Sequence, residues 1–98
     1  MIDFEKAEFH INRCVEFKIG KTSLSTEDRR AMPDYADEYP YIVTLFESCN
    51  PILVDEAEAV LIDKYINHPK NANDKNGQKS MHDVMGDSDS YRVYLVWK

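Results

Sequence analysis

Cysteine, glycine and proline are all scarce in this 98-residue chain, at two, three and four copies. Cys14 and Cys49 stand far apart, and neither has a neighbour at metal-ligand spacing. That argues against a disulfide-stapled secreted scaffold and fits two small buried hydrophobes in a reducing compartment. No apolar run approaches the roughly 18 residues needed to span a bilayer. The first ten residues, MIDFEKAEFH, carry acids where a signal peptide carries bases and an apolar stretch. The expected setting is the cytoplasm, with no membrane partner. No internal repeat or flexible linker divides the sequence, so residues 1–98 are read as a single domain.

A surplus of positive charge is also missing. The net charge is −6, which at first sight opposes a nucleic-acid partner, because phosphate binding rewards Lys and Arg. The distribution is uneven. Residues 1–30 balance six bases with six acids, residues 31–68 set Lys64 alone against eight acids, and residues 69–98 carry five bases and four acids. The acidity belongs to the middle of the chain, which leaves room for a local basic face elsewhere.

What is present, at 43% hydrophobic and 11% aromatic residues, suffices for one modest core. Residues 14–19, CVEFKI, alternate so that Val15, Phe17 and Ile19 share one face, as in a half-buried strand. Residues 7–12, AEFHIN, read as a weaker strand with Phe9 and Ile11 inward, joined to the next by a tight Asn12-Arg13 connection. Ser25 is placed to cap a short helix over about Thr26–Met32, closed by Pro33. Residues 41–47, YIVTLFE, are β-branched and aromatic and read as a central strand. Asn50-Pro51 has the form of an N-cap followed by proline at the first helical position, opening a long helix to about Ile66. Residues 67–90 are polar and turn-rich, a long loop with room for a short helix around Met81–Met85. YRVYLVW, residues 91–97, is a final strand. The expected class is α+β, with a small, mainly antiparallel sheet of three to four strands flanked by a short helix and one long helix.

Glu58 is the most informative side chain. On a helix turning 100° per residue with Val54 at zero, Ala57, Leu61, Tyr65 and Ile62 fall between about −60° and 80°. Glu58 falls near 40°, inside that apolar stripe, whereas Glu56 and Asp63 lie on the opposite side. A carboxylate aimed at a core has to be paired, protonated or bound to a metal. Three readings follow: a metal-binding carboxylate, a capping-box partner for a helix starting at Asp55, and an ion pair with a base from the sheet.

The second constellation is FKIGKT followed by DRR. Gly20-Lys21-Thr22 has the ending of a Walker phosphate loop, but the first glycine of that motif falls on Val15, in a strand, so the loop cannot form. What remains is a strand end with Lys18, Lys21, Arg29 and Arg30 gathered behind it. Such a group either collects phosphates in a groove or forms a solvated rim.

Phe17-Lys18-Ile19-Gly20-Lys21-Thr22 and the arginine that follows on a short helix resemble the second-strand "YIG" block of the GIY-YIG endonucleases. Ala57-Glu58-Ala59-Val60-Leu61-Ile62 is similar to that family's metal-binding glutamate and the helix around it. Asn71 or Asn73, after Pro69, resembles the asparagine that follows the helix. The likeness runs from about residue 9 to 97. It implies a DNA phosphodiesterase in which Glu58 holds Mg²⁺ (or Mn²⁺) and Arg29, or else Arg30, neutralises the phosphate. Lys21 helps to place the backbone, and Lys18, Gly20, Arg30 and Asn73 line the substrate path. No G-I-Y triplet occurs in the chain. At the corresponding distance upstream stand Glu8, Phe9 and His10, which makes His10 the candidate base in place of the usual tyrosine.

The rival reading is a catalytically inactive domain of this type, whose acidic segment 34–63 engages a basic surface of a protein partner. Tyr35, Tyr39 and Tyr41, lying among acids without neighbouring Lys or Arg, stack on bases, belong to that contact surface, or line a turn and start a strand, the last being the expected role. His82, Asp83, Asp87 and Asp89 form a loose acidic group without the ladder spacing of a calcium loop.

Overall fold

A computed structural model describes residues 1–73 and 89–98. Among them the order is α1 (Phe4–Ile11), β1 (Phe17–Thr22), α2 (Thr26–Arg30), α3 (Pro33–Ala36), β2 (Tyr41–Ser48), α4 (Pro51–Tyr65) and β3 (Tyr91–Trp97). The fold is α+β. Its three described strands form one antiparallel sheet in the order β1-β3-β2. Among the described residues no helix is long and apolar enough to cross a membrane. The expected helix around Met81–Met85, with His82, Asp83 and Asp87, falls outside the described residues.

The last strand takes the centre, and this corrects the central position expected for residues 41–47. In β3, Val93 to Val96 are all buried, because helices cover both faces of the sheet there. β2 is an edge strand with mostly half-exposed positions. The larger core lies on one face, where Phe17, Ile19, Leu45, Val93 and Leu95 meet Ala7 and Ile11 of α1 and Val54, Ala57, Leu61 and Tyr65 of α4. On the other face Tyr94 and Val96 pack with Tyr35, Tyr39 and Ile42 in a smaller cluster.

The first segment is a second correction. Residues 4–11 form a helix, not a strand leading into a hairpin at Asn12-Arg13. The Asp3 carboxylate accepts the Lys6 backbone N–H at 2.9 Å, which caps the first turn. Buried Ala7 and Ile11 are one turn apart on a helical stripe, so a period of 3.6 outcompetes the weak alternation of Phe9 and Ile11. Val15 is consequently exposed, and β1 begins only at Phe17. Pro33 does more than stop a helix: α2 ends at Arg30, and the proline opens α3 at its first position. In α4 the expected cap is in place, with Asn50 Oδ1 accepting the Ile52 N–H at 2.9 Å.

Each sheet edge is partly occupied. The register shift between Thr44 and Phe46 makes Leu45 a bulge residue, and the Asp3 N–H donates to the Leu45 carbonyl at 2.9 Å. Along β1, Phe17 donates to the Lys70 carbonyl at 3.0 Å and accepts from the Ala72 N–H at 2.8 Å. One step further the Asn73 side chain continues the ladder. Its Oδ1 accepts the Ile19 N–H and its Nδ2 donates to the Ile19 carbonyl, each at 2.9 Å. Asn71 closes the other end of this segment, donating from Nδ2 to the Tyr65 carbonyl of α4 at 2.7 Å. Both asparagines hold the chain to the β1 edge.

Two hydrogen bonds to a strand edge set the scale for Asn73→Ala. A loss of about 1–3 kcal/mol in unfolding free energy is expected in urea denaturation. An unchanged midpoint would mean that water replaces the amide without cost.

Candidate functional site

The functional side chains lie on both sides of Gly20 in β1. Lys21 shares a face with Ile19 and Phe17 and reaches under α4. Its ammonium lies 2.5 Å from Asp55 Oδ1 and 3.7 Å from Glu58 Oε1. The Lys21 side chain is 5% exposed and that of Glu58 13%, against 53% for Asp55. Glu58 therefore does project inward from the apolar stripe of α4. Of its three readings, the capping box is excluded, because α4 starts at Pro51 and is capped by Asn50. The ion pair with a base from the sheet is present. Removing Lys21 would leave two carboxylates, Glu58 largely desolvated among them, without this shared cation, which is costly.

On the opposite face Tyr94 of β3 stands across from Gly20 in the antiparallel register. A Cβ at position 20 would run into the Tyr94 hydroxyl and come within 2.6 Å of its Cζ. The missing side chain thus admits the phenol, as glycine in a strand interior does where another group approaches closely. The Tyr94 hydroxyl shares a 2.8 Å hydrogen bond with the Tyr35 hydroxyl of α3. Arg29 of α2 lies over the Tyr35 ring at 4.1 Å and over the Tyr94 ring at 5.5 Å. Its guanidinium donates two hydrogen bonds to the Asp34 carboxylate, at 2.8 and 2.9 Å.

Burial raises the Tyr94 phenol well above its ordinary range, and contact with Tyr35 raises it further. Burial also raises Tyr35, an effect that its hydrogen bond with Tyr94 and the Arg29 charge oppose. Both phenols stay protonated at neutral pH and serve as neutral hydrogen-bonding groups. The Arg29 hydrogen bond holds the Asp34 carboxyl below its usual value, with the Lys18 charge contributing. Arg29 stays cationic. Its burial would lower its pKa, but the bond to Asp34 and the neighbouring tyrosines outweigh that.

Among the expected site residues, Lys21 and Glu58 are in contact on the α4 face of β1, Arg29 lies on the other face over Tyr35 and Tyr94, and the Lys18 charge acts on Asp34. Arg30, next on α2, is half-buried. His10 is not part of this group. It sits on α1, stacked on Trp97 at 4.1 Å, and Trp97 pairs with Phe17 at the other end of β1 from Lys21. Asn73 contributes its amide to the Ile19 backbone. Tyr94, Tyr35, Asp34 and Asp55 were not anticipated. A glycine inside the FKIGKT strand was the one available signal that a neighbouring group comes close. Among the described residues no three His, Cys, Asp or Glu side chains gather as a metal-binding group. No protein-family model, curated protein or solved structure matches the chain.

Two measurements test this arrangement. Gly20→Ala forces Tyr94 off the strand, with an expected destabilisation of about 1–3 kcal/mol, as for an overpacked core; stability equal to the parent would mean the phenol moves freely. The Arg29–Asp34 pair has a defined pH signature. Because the folded Asp34 value is depressed, its stabilisation is present above the ordinary 3.8 and is lost as the pH falls below that through the folded value. Asp34→Asn is expected to flatten this acid limb in pH-dependent unfolding, and a limb of unchanged steepness would assign it to other carboxylates.

Proposed function

We propose that this chain is a small, cytoplasmic phosphodiester-cleaving domain of the GIY-YIG type, acting on DNA with Mg²⁺ or Mn²⁺. The observation that carries the reading is the position of Tyr94. The tyrosine that the family places on a strand ahead of the "YIG" block has no counterpart upstream of β1. In the folded chain a tyrosine nevertheless lies over Gly20, supplied by β3, which follows β1 in sequence and neighbours it in the sheet. Arg29 covers that tyrosine and Tyr35.

The donor set suits a hard divalent cation. Mg²⁺ is usually held through one or two carboxylates, with water and phosphate oxygens completing its octahedron. Glu58, with Asp55 one turn before it, meets that requirement. When bound, such an ion supplies charge neutralisation at the scissile phosphate and the departing oxygen. The chain's own residues do the rest. Arg29 and Lys21 bring positive charge to the non-bridging oxygens, Lys18 extends the cationic path along β1, and the protonated Tyr35–Tyr94 pair fixes the orientation of Arg29. Glu58 and Asp55, which share Lys21 in this structure, would hold the ion, and Lys21 would then be available to the phosphate.

Plasmid nicking with Mg²⁺ or Mn²⁺ tests the reading. Glu58→Gln and Arg29→Ala are each expected to lower the rate by roughly 10² or more, the scale for losing one electrostatic contact to the transition state. Tyr94→Phe is expected to cost less. Equal nicking by the parent and Glu58→Gln would abolish the mechanism.

A second reading is favoured by the exposed Asp37, Glu38, Glu56 and Asp63 in the segment 34–63. It is an inactive domain of the same type that presents those carboxylates to a basic protein surface. It predicts no nicking by any variant, and binding to a basic partner that weakens with salt.

A further inference from the structure

At the end of the sheet away from Lys21, aromatic rings form a continuous row. The Trp97 ring lies between Tyr41, at 5.5 Å and 22° between planes, and His10, at 4.1 Å and 24°. Phe9 meets His10 edge-on at 5.1 Å. The Arg13 guanidinium lies over the Phe9 ring, 3.8 Å from its centroid. Rings gathered only to fill a core end in apolar contacts. This row ends half in water on both sides, with Tyr41 55% and Phe9 52% exposed. Lys6 and Arg13 both act on His10, and together with burial they keep the imidazole neutral, so it stacks as an uncharged ring. Nearby acids are engaged: Asp3 pairs with Lys6 at 3.8 Å, Glu8 accepts the Tyr65 hydroxyl at 3.0 Å, and Glu16 accepts the Tyr39 hydroxyl and pairs with Lys98.

We propose that the row Tyr41–Trp97–His10–Phe9 is a docking surface for single-stranded nucleic acid. One unpaired base stacks on Tyr41 and another against Phe9, while Arg13, held over the Phe9 ring by its 2.7 Å bond to the Phe9 carbonyl, turns its remaining N–H groups to the phosphates between them. Flat half-exposed rings beside a cation match a chain of flat bases joined by anions, and every base has a face to stack. A duplex hides those faces. The row lies roughly 13 Å along β1 from Lys21, four residues at about 3.3 Å each, so it is separate from the cleavage site proposed above and does not rest on it.

Trp97 is the single tryptophan of the chain, and its emission reads this surface directly. The experiment titrates oligo-dT, oligo-U and a blunt DNA duplex of equal length into the full chain, following Trp97 emission and the anisotropy of labelled strands. Single strands are expected to change the emission, with either sugar, and to bind more tightly than the duplex. Tyr41→Ala and Phe9→Ala are each expected to weaken binding by roughly tenfold and Tyr41→Phe to leave it intact. These variants separate this surface from the cleavage reading, since their effect on binding holds whether or not nicking occurs. Tighter binding to the duplex, no response to either single strand, or equal binding by the folded alanine variants would overturn the proposal. Loss of binding in Tyr41→Phe would overturn it too.

Discussion

The arrangement of this domain depends on the space left by the side chain missing at Gly20. Strands β1 and β3 are neighbours, and Gly20 faces Tyr94 across them. With a Cβ in place, the phenol could not lie over the strand. With none, it crosses β1 and meets Tyr35, and this contact anchors the short α3 to a sheet it otherwise touches little. Arg29 is then stacked on both rings and tied to Asp34. A five-residue helix such as α2 has little stability of its own. Its cap at Ser25 and the burial of Arg29 against aromatic rings give it a fixed place.

The sheet has only three described strands, so the handling of its edges matters as much as its core. β2 is kinked by the Leu45 bulge, and the carbonyl released there is taken by the backbone at the start of α1. β1 is covered by residues 70–73, first through backbone bonds and then through the Asn73 amide, which presents an acceptor and a donor at the spacing of a peptide group. The same segment ties back to α1, where Lys70 donates to the Ile11 and Asn12 carbonyls at 3.2 and 3.3 Å. One short stretch therefore closes the β1 edge and the C-terminal end of α1 together, and its Asn71 serves the end of α4 as well.

How much of this the amino-acid order reveals depends on whether the deciding signal is local. Asn50-Pro51 carries its own chemistry, cap and fixed φ, so the start of α4 is legible, as is the inward turn of Glu58. YRVYLVW is equally plain as a strand, but its place at the centre is not. Strand order depends on which segments cover which faces, and that information is spread over α1, α3 and α4. Residues 4–11 mislead because Phe9 and Ile11 mimic a period of two, while the winning signals are an Asp3 cap and two small or branched apolar side chains a turn apart. At the candidate site, Lys21, Glu58 and Arg29 were visible as unusual charges near a glycine. Tyr94 and Tyr35 were not, since two tyrosines 59 positions apart meet only after the sheet is assembled. His10 looked promising for its place in the chain, but its helix carries it to Trp97 instead.

The net acidity of the chain and a phosphate-directed site are compatible once the cations are weighed singly. Lys21 is 5% exposed and held between two carboxylates. Moving its charge to a phosphate means re-pairing a desolvated group, which is costly unless something else takes its place beside Glu58. Arg29 differs, because its carboxylate partner, Asp34, is 56% exposed, whereas Lys21 also faces the 13% exposed Glu58 and is itself more deeply covered. Pairs with one member so close to water contribute only about 0–1 kcal/mol, while a planar guanidinium gains a bidentate geometry on phosphate as good as the one it leaves. Its stacking on Tyr35 and Tyr94 survives the exchange, since only the outer edge of the group changes partner. Of the two cations, Arg29 is therefore the one held less tightly by its carboxylate, and Lys21 the one locked into the packing of α4 on β1.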